Sequence, residues 1–234
     1  MGFMWLIIGL CVGSFLNGVA YRVTAEKNLF SARSVCSGCE RKIAWYDLIP
    51  VISWFALKGK CRNCDRKIPF KYAVVELFVG LGTFYLFKDG QISLFLIVQY
   101  FFLLSFFLNV LTDAISFSVY DPFLYFMVTC GLLLALLKGN FVNALLSGLL
   151  VVMLIATASY AVQLIIKKQS MGSGDYFAFF VIGLTLPSSQ ILDLMLFSSL
   201  FGIAVSVVMK KKALPFFPLL FFGYLFVLVG GHLV

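Results

Sequence analysis

Apolar residues run along this chain in long blocks separated by short polar stretches. The blocks predict helices over roughly 3–20, 73–87, 92–111, 122–137, 143–166, 176–187, 191–209 and 214–233. A helix crossing the hydrocarbon core of a bilayer needs about 20 residues. Several blocks are shorter, and those at 73–87 and 176–187 give the weakest signals. Gly90, Pro122, Gly139, Pro187 and Pro215 mark boundaries as turn or helix-start residues. The stretch from Tyr21 to Tyr72 is the one sizeable polar segment. The pattern predicts an all-α polytopic membrane protein. It has about eight transmembrane helices, with a small cytoplasmic domain between helices 1 and 2. The expected divisions are a first transmembrane helix (1–20), the cytoplasmic domain (21–72) and a membrane-embedded remainder (73–234).

Composition agrees with that class. The chain has 234 residues, 62% hydrophobic and 12% charged, with a mean hydropathy of +1.03. An ordinary soluble domain is about 45–50% apolar and about 25% charged. The first block lacks a basic start and continues into a structured segment, so it reads as a membrane helix rather than a cleavable signal. The net charge of +8 raises nucleic-acid binding as a class. Its distribution removes that class, because the basic residues flank membrane segments.

Charge also predicts orientation. The segment from Tyr21 to Tyr72 holds eleven Lys/Arg, from Arg22 to Lys71. Lys167-Lys168 and Lys210-Lys211-Lys212 add five. With eight spans, all of these fall on one side, and only Lys88 and Lys138 fall opposite. The positive-inside rule makes the basic side cytoplasmic and puts both termini outside.

The polar segment contains Cys36-Ser-Gly-Cys39 and Cys61-Arg-Asn-Cys64, separated by 21 residues. Two such knuckles can present four thiolates to one tetrahedral zinc. Gly38 is expected to take the tight turn of the first knuckle, with Asn63 tolerating a similar turn in the second. A segment of about 50 residues is too small for a large core, so a metal staple is physically useful. The rival readings are a pair of disulfides or a redox relay; cytoplasmic placement argues against stable disulfides. Cys11 and Cys130 lie in apolar blocks and read as small packing residues.

Two aspartates stand almost alone beside hydrocarbon. Asp113 closes the run Asn109-Val-Leu-Thr-Asp, and Asp175 follows Met171-Gly-Ser-Gly. A carboxylate at such a position is costly and marks a functional site. Two of them, on the same face of the topology, suggest a dyad that shares a proton and activates water. Bland readings stand beside this one. Asp113 could cap a helix from Ala114, Asp121 one from Pro122, and Asp175 one from Tyr176. Gly172 and Gly174 favour chemistry at Asp175, since paired glycines permit close approach by another chain. No Ser-His-Asp set is available. His232, the single histidine, reads as an interfacial residue.

These residues together resemble the type IV prepilin peptidases, bacterial membrane aspartyl proteases of the Gly-x-Gly-Asp kind. The resemblance runs through Gly13-Ser-Phe-Leu-Asn17, Arg22, both cysteine pairs and Trp45-Tyr-Asp-Leu-Ile-Pro50. It continues through Val75-Glu76, Asp113 with Asp121, and Met171-Gly-Ser-Gly-Asp175. It implies cleavage of a basic leader from prepilins or pseudopilins at the cytoplasmic face of the bacterial inner membrane. It also implies N-methylation of the new terminus with S-adenosylmethionine as cofactor, the segment 21–72 being the methyltransferase region. Asp113 and Asp175 fall on the family's catalytic positions. Cys36, Cys39, Cys61 and Cys64 fall on its structural zinc positions.

Gly172, Gly174, Asp121 and Glu76 are the candidates for positioning substrate, and Asp47 joins the last two as a candidate reader of the basic leader. The expected partners are prepilins and the lipid bilayer, with no nucleic acid. Three positions depart from the family: Tyr120 replaces a proline, Phe177 a lysine, and the late stretch reads Pro215-Phe-Phe-Pro218. They bear on substrate preference, not on the dyad. Two other classes compete: a non-enzymatic assembly factor with a zinc docking domain, and a thiol-redox membrane protein.

Overall fold

The computed structural model describes residues 2–29, 34–167, 171–210 and 214–230. Arg33, Lys168, Lys211, Lys212 and His232 lie outside them. Among the described residues the helices are α1 (Gly2–Thr24), α2 (Ile52–Ala56), α3 (Lys71–Phe87), α4 (Leu94–Ser116), α5 (Asp121–Leu137), α6 (Phe141–Ile166), α7 (Ser173–Thr185), α8 (Ser188–Met209) and α9 (Phe216–Gly230). A 3-10 turn spans Trp45–Leu48. All but α2 are apolar helices of 13 residues or more, so each predicted block has its helix. Four of them, α1, α4, α6 and α8, are long and apolar enough to cross a membrane. The other apolar helices are shorter. At 13 residues, α7 spans about 20 Å at 1.5 Å per residue, against a hydrocarbon core of about 30 Å.

The chain forms two compact units, Met1–Leu96 and Ile97–Val234. In the first, α1 and α3 pack side by side, running in opposite directions. Trp5 stacks on Phe87 at one end, with ring centroids 4.5 Å apart. Asn17 Nδ2 donates to the Tyr72 carbonyl at the other, at 3.1 Å. Lipid tails are as apolar as leucine, so such helices associate through close packing rather than hydrophobic burial. Gly9 and Gly13 supply it. A Cβ on Gly9 would meet Gly80 Cα at 2.9 Å, and one on Gly13 would meet Glu76 Cα at 2.8 Å. The polar segment 25–70 is carried between these helices.

In the second unit α7 is central, flanked by α5 and α6 and touched by α8 and α9. It is buried almost continuously from Ala178 to Leu186. Its Gly183 lies against Gly148 of α6, where a Cβ would be 2.6 Å from Gly148 Cα. Phe102 and Phe106 of α4 pack on Tyr224 of α9, and Phe106 also meets Phe217 and Phe221. α5 and α7 run parallel. Tyr125 meets Phe177 near their starts, and Lys138 Nζ donates to the Thr185 carbonyl at their ends. The end of α4 and the starts of α5, α7 and α9 therefore lie at one end of this unit.

One boundary differs from the sequence reading with consequences. The third block was expected to end at 111, leaving Asp113 beyond the helix. Instead α4 continues to Ser116. Thr112 and Ser116 turn their hydroxyls back to carbonyls of Leu108 and Thr112, which satisfies polar side chains within the helix. The turn comes at Phe117, with φ of 53°.

Candidate functional sites

Asp113 sits in the last turns of α4 and is 6% exposed. It caps no following helix. Its Oδ2 accepts from the backbone N–H of Phe217 at 2.9 Å. That N–H belongs to the first turn of α9, where helix N–H groups lack partners of their own and the dipole favours negative charge. The Pro215–Pro218 stretch thus forms the helix start that receives Asp113. Sequence reading noted the stretch as a departure and Pro215 as a helix-start residue. Pro215 before a helical block was the legible signal; the pairing with Asp113 was not.

Asp175 lies in the first turn of α7. Its Oδ2 accepts from the Gly172 N–H at 3.1 Å, and its own N–H donates to the Gly172 carbonyl at 3.3 Å. It holds the start of its own helix from the third position, not as the residue before Tyr176. Asp113 lies close enough to Asp175 for their charges to interact. The two carboxylates, 62 positions apart in sequence, thus lie at the same end of the second unit. Tyr176 fixes this turn by donating to Ser159 Oγ of α6 at 3.0 Å.

The two glycines before Asp175 differ. Neither has positive φ. A Cβ on Gly174 would press on Val119 at 3.3 Å, so the chain's own segment makes the close approach there. Among the described residues a Cβ on Gly172 would meet only Asp175 Oδ2, at 3.7 Å. Asp121 is exposed and opens α5, whose N-cap is Tyr120 with no side-chain cap bond. Its capping reading is not borne out, because backbone carbonyls close that turn. Phe177, at the departure from lysine, is 41% exposed and meets Tyr125 edge-on.

In the first unit the four cysteines converge. Their Sγ atoms all lie within 4.8 Å of one another, and Cys36 and Cys64 are 3.7 Å apart. A tetrahedral ion with metal–sulfur bonds of about 2.3 Å needs sulfurs about 3.8 Å apart, so the set fits one ion. The two knuckles are built alike. Cys36 N–H donates to Arg41 O and Cys61 N–H to Arg66 O, beside the bridges Val35↔Lys42 and Lys60↔Lys67. The left-handed residues are Glu40 and Asp65, with φ of 55° and 54°, not Gly38 and Asn63. Each follows its knuckle's second cysteine, where the chain must reverse into the bridge. Gly38 has another reason: a Cβ there would meet Arg66 Cδ at 2.6 Å and Cys64 Sγ at 3.3 Å.

Beside the cysteines lies a cavity of about 1040 Å³. Its wall draws on Ser14 to Arg22 of α1, both cysteine knuckles, residues between Ala44 and Leu57, and Tyr72 with Glu76 of α3. Glu76 Oε2 accepts from the Val51 N–H at 2.7 Å. Val51 has φ of 61°, a strained conformation for a β-branched residue. Asp47 is held by Arg62 through two nitrogens, the shortest contact being 2.7 Å. That guanidinium keeps the Asp47 carboxyl below the usual carboxylate range.

Comparison with known proteins bears on both units. Residues 7–89 match the bacterial peptidase A24 N-terminal domain, and residues 97–207 match the type IV leader peptidase family. The chain is 29% identical to a prepilin leader peptidase/N-methyltransferase of Myxococcus xanthus over 87% of its length, spanning 61% of that relative. It is 29% identical to one of Vibrio cholerae, over 84% of this chain and 82% of that one. One of Bacillus subtilis is 26% identical, over 96% and 92%. No solved structure matches.

Proposed function

Since the chain belongs to the type IV leader peptidase family, we propose that it cleaves the basic leader from prepilins or pseudopilins and methylates the new N-terminus. The observation that carries the peptidase is the placement of Asp113 and Asp175 at the same end of the second unit, each held by a backbone N–H at a helix start. Hydrolysis needs one carboxylate ionised and one protonated. The ionised member takes a proton from water, and the hydroxide equivalent attacks the scissile carbonyl. The protonated member hydrogen-bonds the carbonyl oxygen and stabilises the charge that develops there. The Phe217 and Gly172 N–H groups hold the two carboxylates in position. Gly172, exposed beside Asp175, is a candidate for the approach of a substrate chain, and Asp121 at the same end is a candidate for the leader's positive charge.

The Cys36, Cys39, Cys61 and Cys64 set fits zinc as a structural ion, four thiolates leaving no open position for catalysis. Cytoplasmic placement of the basic loops puts the dyad at the cytoplasmic boundary of the bacterial inner membrane. Trp45, Ile52 and Phe55 stand exposed in the polar segment, which is rich in Lys and Arg; this supports contact with anionic headgroups. S-adenosylmethionine would supply the methyl group, and the first unit has a cavity of adequate volume for it. Segment 21–72, held by α1 and α3, serves methylation; the helices after residue 97 serve cleavage. Incubating the detergent-purified protein with a synthetic prepilin peptide tests both halves. Mass spectrometry reads loss of the leader and gain of one methyl. Absence of any cleavage would overturn the peptidase reading.

A further inference from the structure

Asn109 lies inside the second unit at 0% exposure, one turn before Asp113 on α4. Residues four apart on a helix share a face. With Phe102 and Phe106 these two residues form a stripe along α4 that faces α9. There Phe106 meets Phe217 and Tyr224, and Asp113 accepts from the Phe217 N–H. On that stripe Asn109 is the polar position between the rings and the carboxylate.

Half of its amide is satisfied. Nδ2 donates to the Ser105 carbonyl at 3.0 Å. Among the described residues Oδ1 has no partner. Exchanging the two amide atoms does not help, because an oxygen would then face the Ser105 carbonyl and an N–H would be stranded. A fully buried acceptor without a donor is destabilising and calls for a reason.

The neighbouring donors are committed elsewhere. Ser105 Oγ donates to the Phe102 carbonyl at 2.8 Å. Thr112 Oγ1 donates to the carbonyls of Leu108 and Asn109, at 3.3 and 3.1 Å. Tyr224 is hydrogen-bonded to Thr185. The remaining candidate one turn away is Asp113, which has a hydrogen to give only when protonated.

We propose that Asn109 is a positioning residue that accepts a hydrogen bond from the protonated carboxyl of Asp113; the proposal rests on the reading that Asp113 and Asp175 form the hydrolytic pair. The Phe217 N–H occupies Oδ2, so Oδ1 carries the proton. The backbone does not distinguish the two carboxylates. Each accepts one N–H at a helix start, and such a donor favours the charged form of both. A carboxamide oxygen acts the other way. It is the negative end of a dipole, favourable to a carboxyl O–H and unfavourable to a carboxylate.

Standing on α4 with Asp113 and on a different helix from Asp175, Asn109 biases the shared proton toward Asp113. Asp175 is then the base. It takes a proton from water, the water oxygen bonds the scissile carbonyl carbon, and the Asp113 proton passes to the carbonyl oxygen. Before substrate arrives Asn109 holds that O–H; the carbonyl oxygen then replaces it as acceptor.

Asn109→Leu removes the amide at similar size and strands nothing, because the Ser105 carbonyl keeps its helical bond from the residue 109 N–H. The full chain, purified in detergent, is assayed on a synthetic prepilin peptide, with melting temperature recorded for each variant. Asn109→Leu melts no lower than wild type, since an orphaned acceptor is gone. It nevertheless lowers kcat by roughly tenfold with KM within about twofold, as for loss of one hydrogen bond that serves the reaction. Ser105→Ala, one turn earlier, leaves both constants within about twofold. The infrared band of the protonated carboxyl, identified by its loss in Asp113→Asn, shifts in Asn109→Leu because its O–H has lost an acceptor.

A role in packing alone would move neither kcat nor the band. If Asn109→Leu overpacks the core and does not fold, Asn109→Ala gives the same two readings without added volume. Wild-type protein that does not cleave overturns the peptidase reading itself. Cleavage by wild type, with an unchanged kcat or an unmoved band in the variant, overturns only the role of Asn109. A rise in KM at constant kcat would give Asn109 to substrate binding instead.

Discussion

The backbone N–H of Phe217 donates to Oδ2 of Asp113, joining residues 104 positions apart at 2.9 Å. Both partners are nearly inaccessible, at 0% and 6% exposure. The bond is at once a tether between α4 and α9 and a fixed orientation for the carboxylate. Chemistry and architecture can be separated here. Asparagine at 113 keeps an oxygen that can accept from Phe217 but has no acidic proton to share. Asp113→Asn is expected to fold with a near-normal melting temperature and to show no cleavage. Asp113→Ala strands a buried N–H, at a cost of about 1–3 kcal/mol, and should melt lower as well. Thermal unfolding beside peptide mass spectrometry compares the two. Equal stability of the variants would remove the tether; cleavage by Asp113→Asn would remove the mechanism.

Asp175 and Asp121 open parallel helices at the same end but differ in their bonds. Asp175 accepts from Gly172, whereas Asp121 makes no side-chain cap bond. Asp175→Asn should abolish cleavage. Asp121→Asn should retain chemistry and raise KM toward leaders with several basic residues, by no more than about tenfold, as for one exposed ion pair. Steady-state kinetics on leaders of differing charge decides. A larger loss of kcat than of affinity in Asp121→Asn would move that residue into the chemistry.

The eight apolar blocks were legible because hydrocarbon demands long uninterrupted runs, and Gly and Pro end them. The cysteine site was legible because paired thiolates at fixed spacing have few other uses. The helix end at Asp113 was not, because Thr112 and Ser116 look like a polar break but bond back into the helix. The left-handed turns at Glu40 and Asp65 were missed for a related reason. Glycine was expected to mark the turn, but Gly38 serves close packing against Arg66. The bond from Phe217 could not be read, since nothing in a main-chain N–H distinguishes one residue from another.

Gly183 and Gly148 predict a packing defect that the sequence did not announce. A methyl on Gly183 would lie 2.6 Å from Gly148 Cα, so backbone rather than a flexible side chain must yield. Overpacking of this kind costs about 1–3 kcal/mol. Gly183→Ala should lower the melting temperature and, because α7 carries Asp175, reduce cleavage. Gly82→Ala, where a Cβ meets nothing within 4 Å, should be neutral or slightly stabilising. Matching melting temperatures for the two variants would contradict the close crossing.

Orientation is open to direct test. Lys138 lies at the end of the second unit opposite Asp121 and Asp175, bonded to the Thr185 carbonyl, while Lys167 follows α6 toward the carboxylate end. Fusion reporters after Lys138 and after Lys167 should report opposite sides, the second cytoplasmic. Both reporters on one side would break the parity of spans on which the cytoplasmic dyad rests.

Zinc held by the four cysteines would bind with a pH dependence of definite sign. N–H groups of Cys39 and Gly38 draw the Cys36 thiol down to about 6. At Cys64 the Arg66 N–H pulls the same way, but burial and the neighbouring sulfurs outweigh it and push the thiol up to about 12. Near neutral pH, then, Cys36 is a thiolate and Cys64 keeps its proton until an ion displaces it. A tetrahedral site needs every thiol ionised, so binding releases at least the Cys64 proton. Zinc affinity should rise as pH rises through the neutral range. It should fall more steeply below about 6, where Cys36 must also be deprotonated. Competition with a chelator at a series of pH values measures the slope. Alkylation of chelator-treated protein should label Cys36 ahead of Cys64. Serine at any of the four positions should lower bound zinc and loosen the polar segment, leaving the helices after residue 97 folded. Zinc affinity that stayed flat across the neutral range would mean that Cys64 is already ionised before the ion arrives.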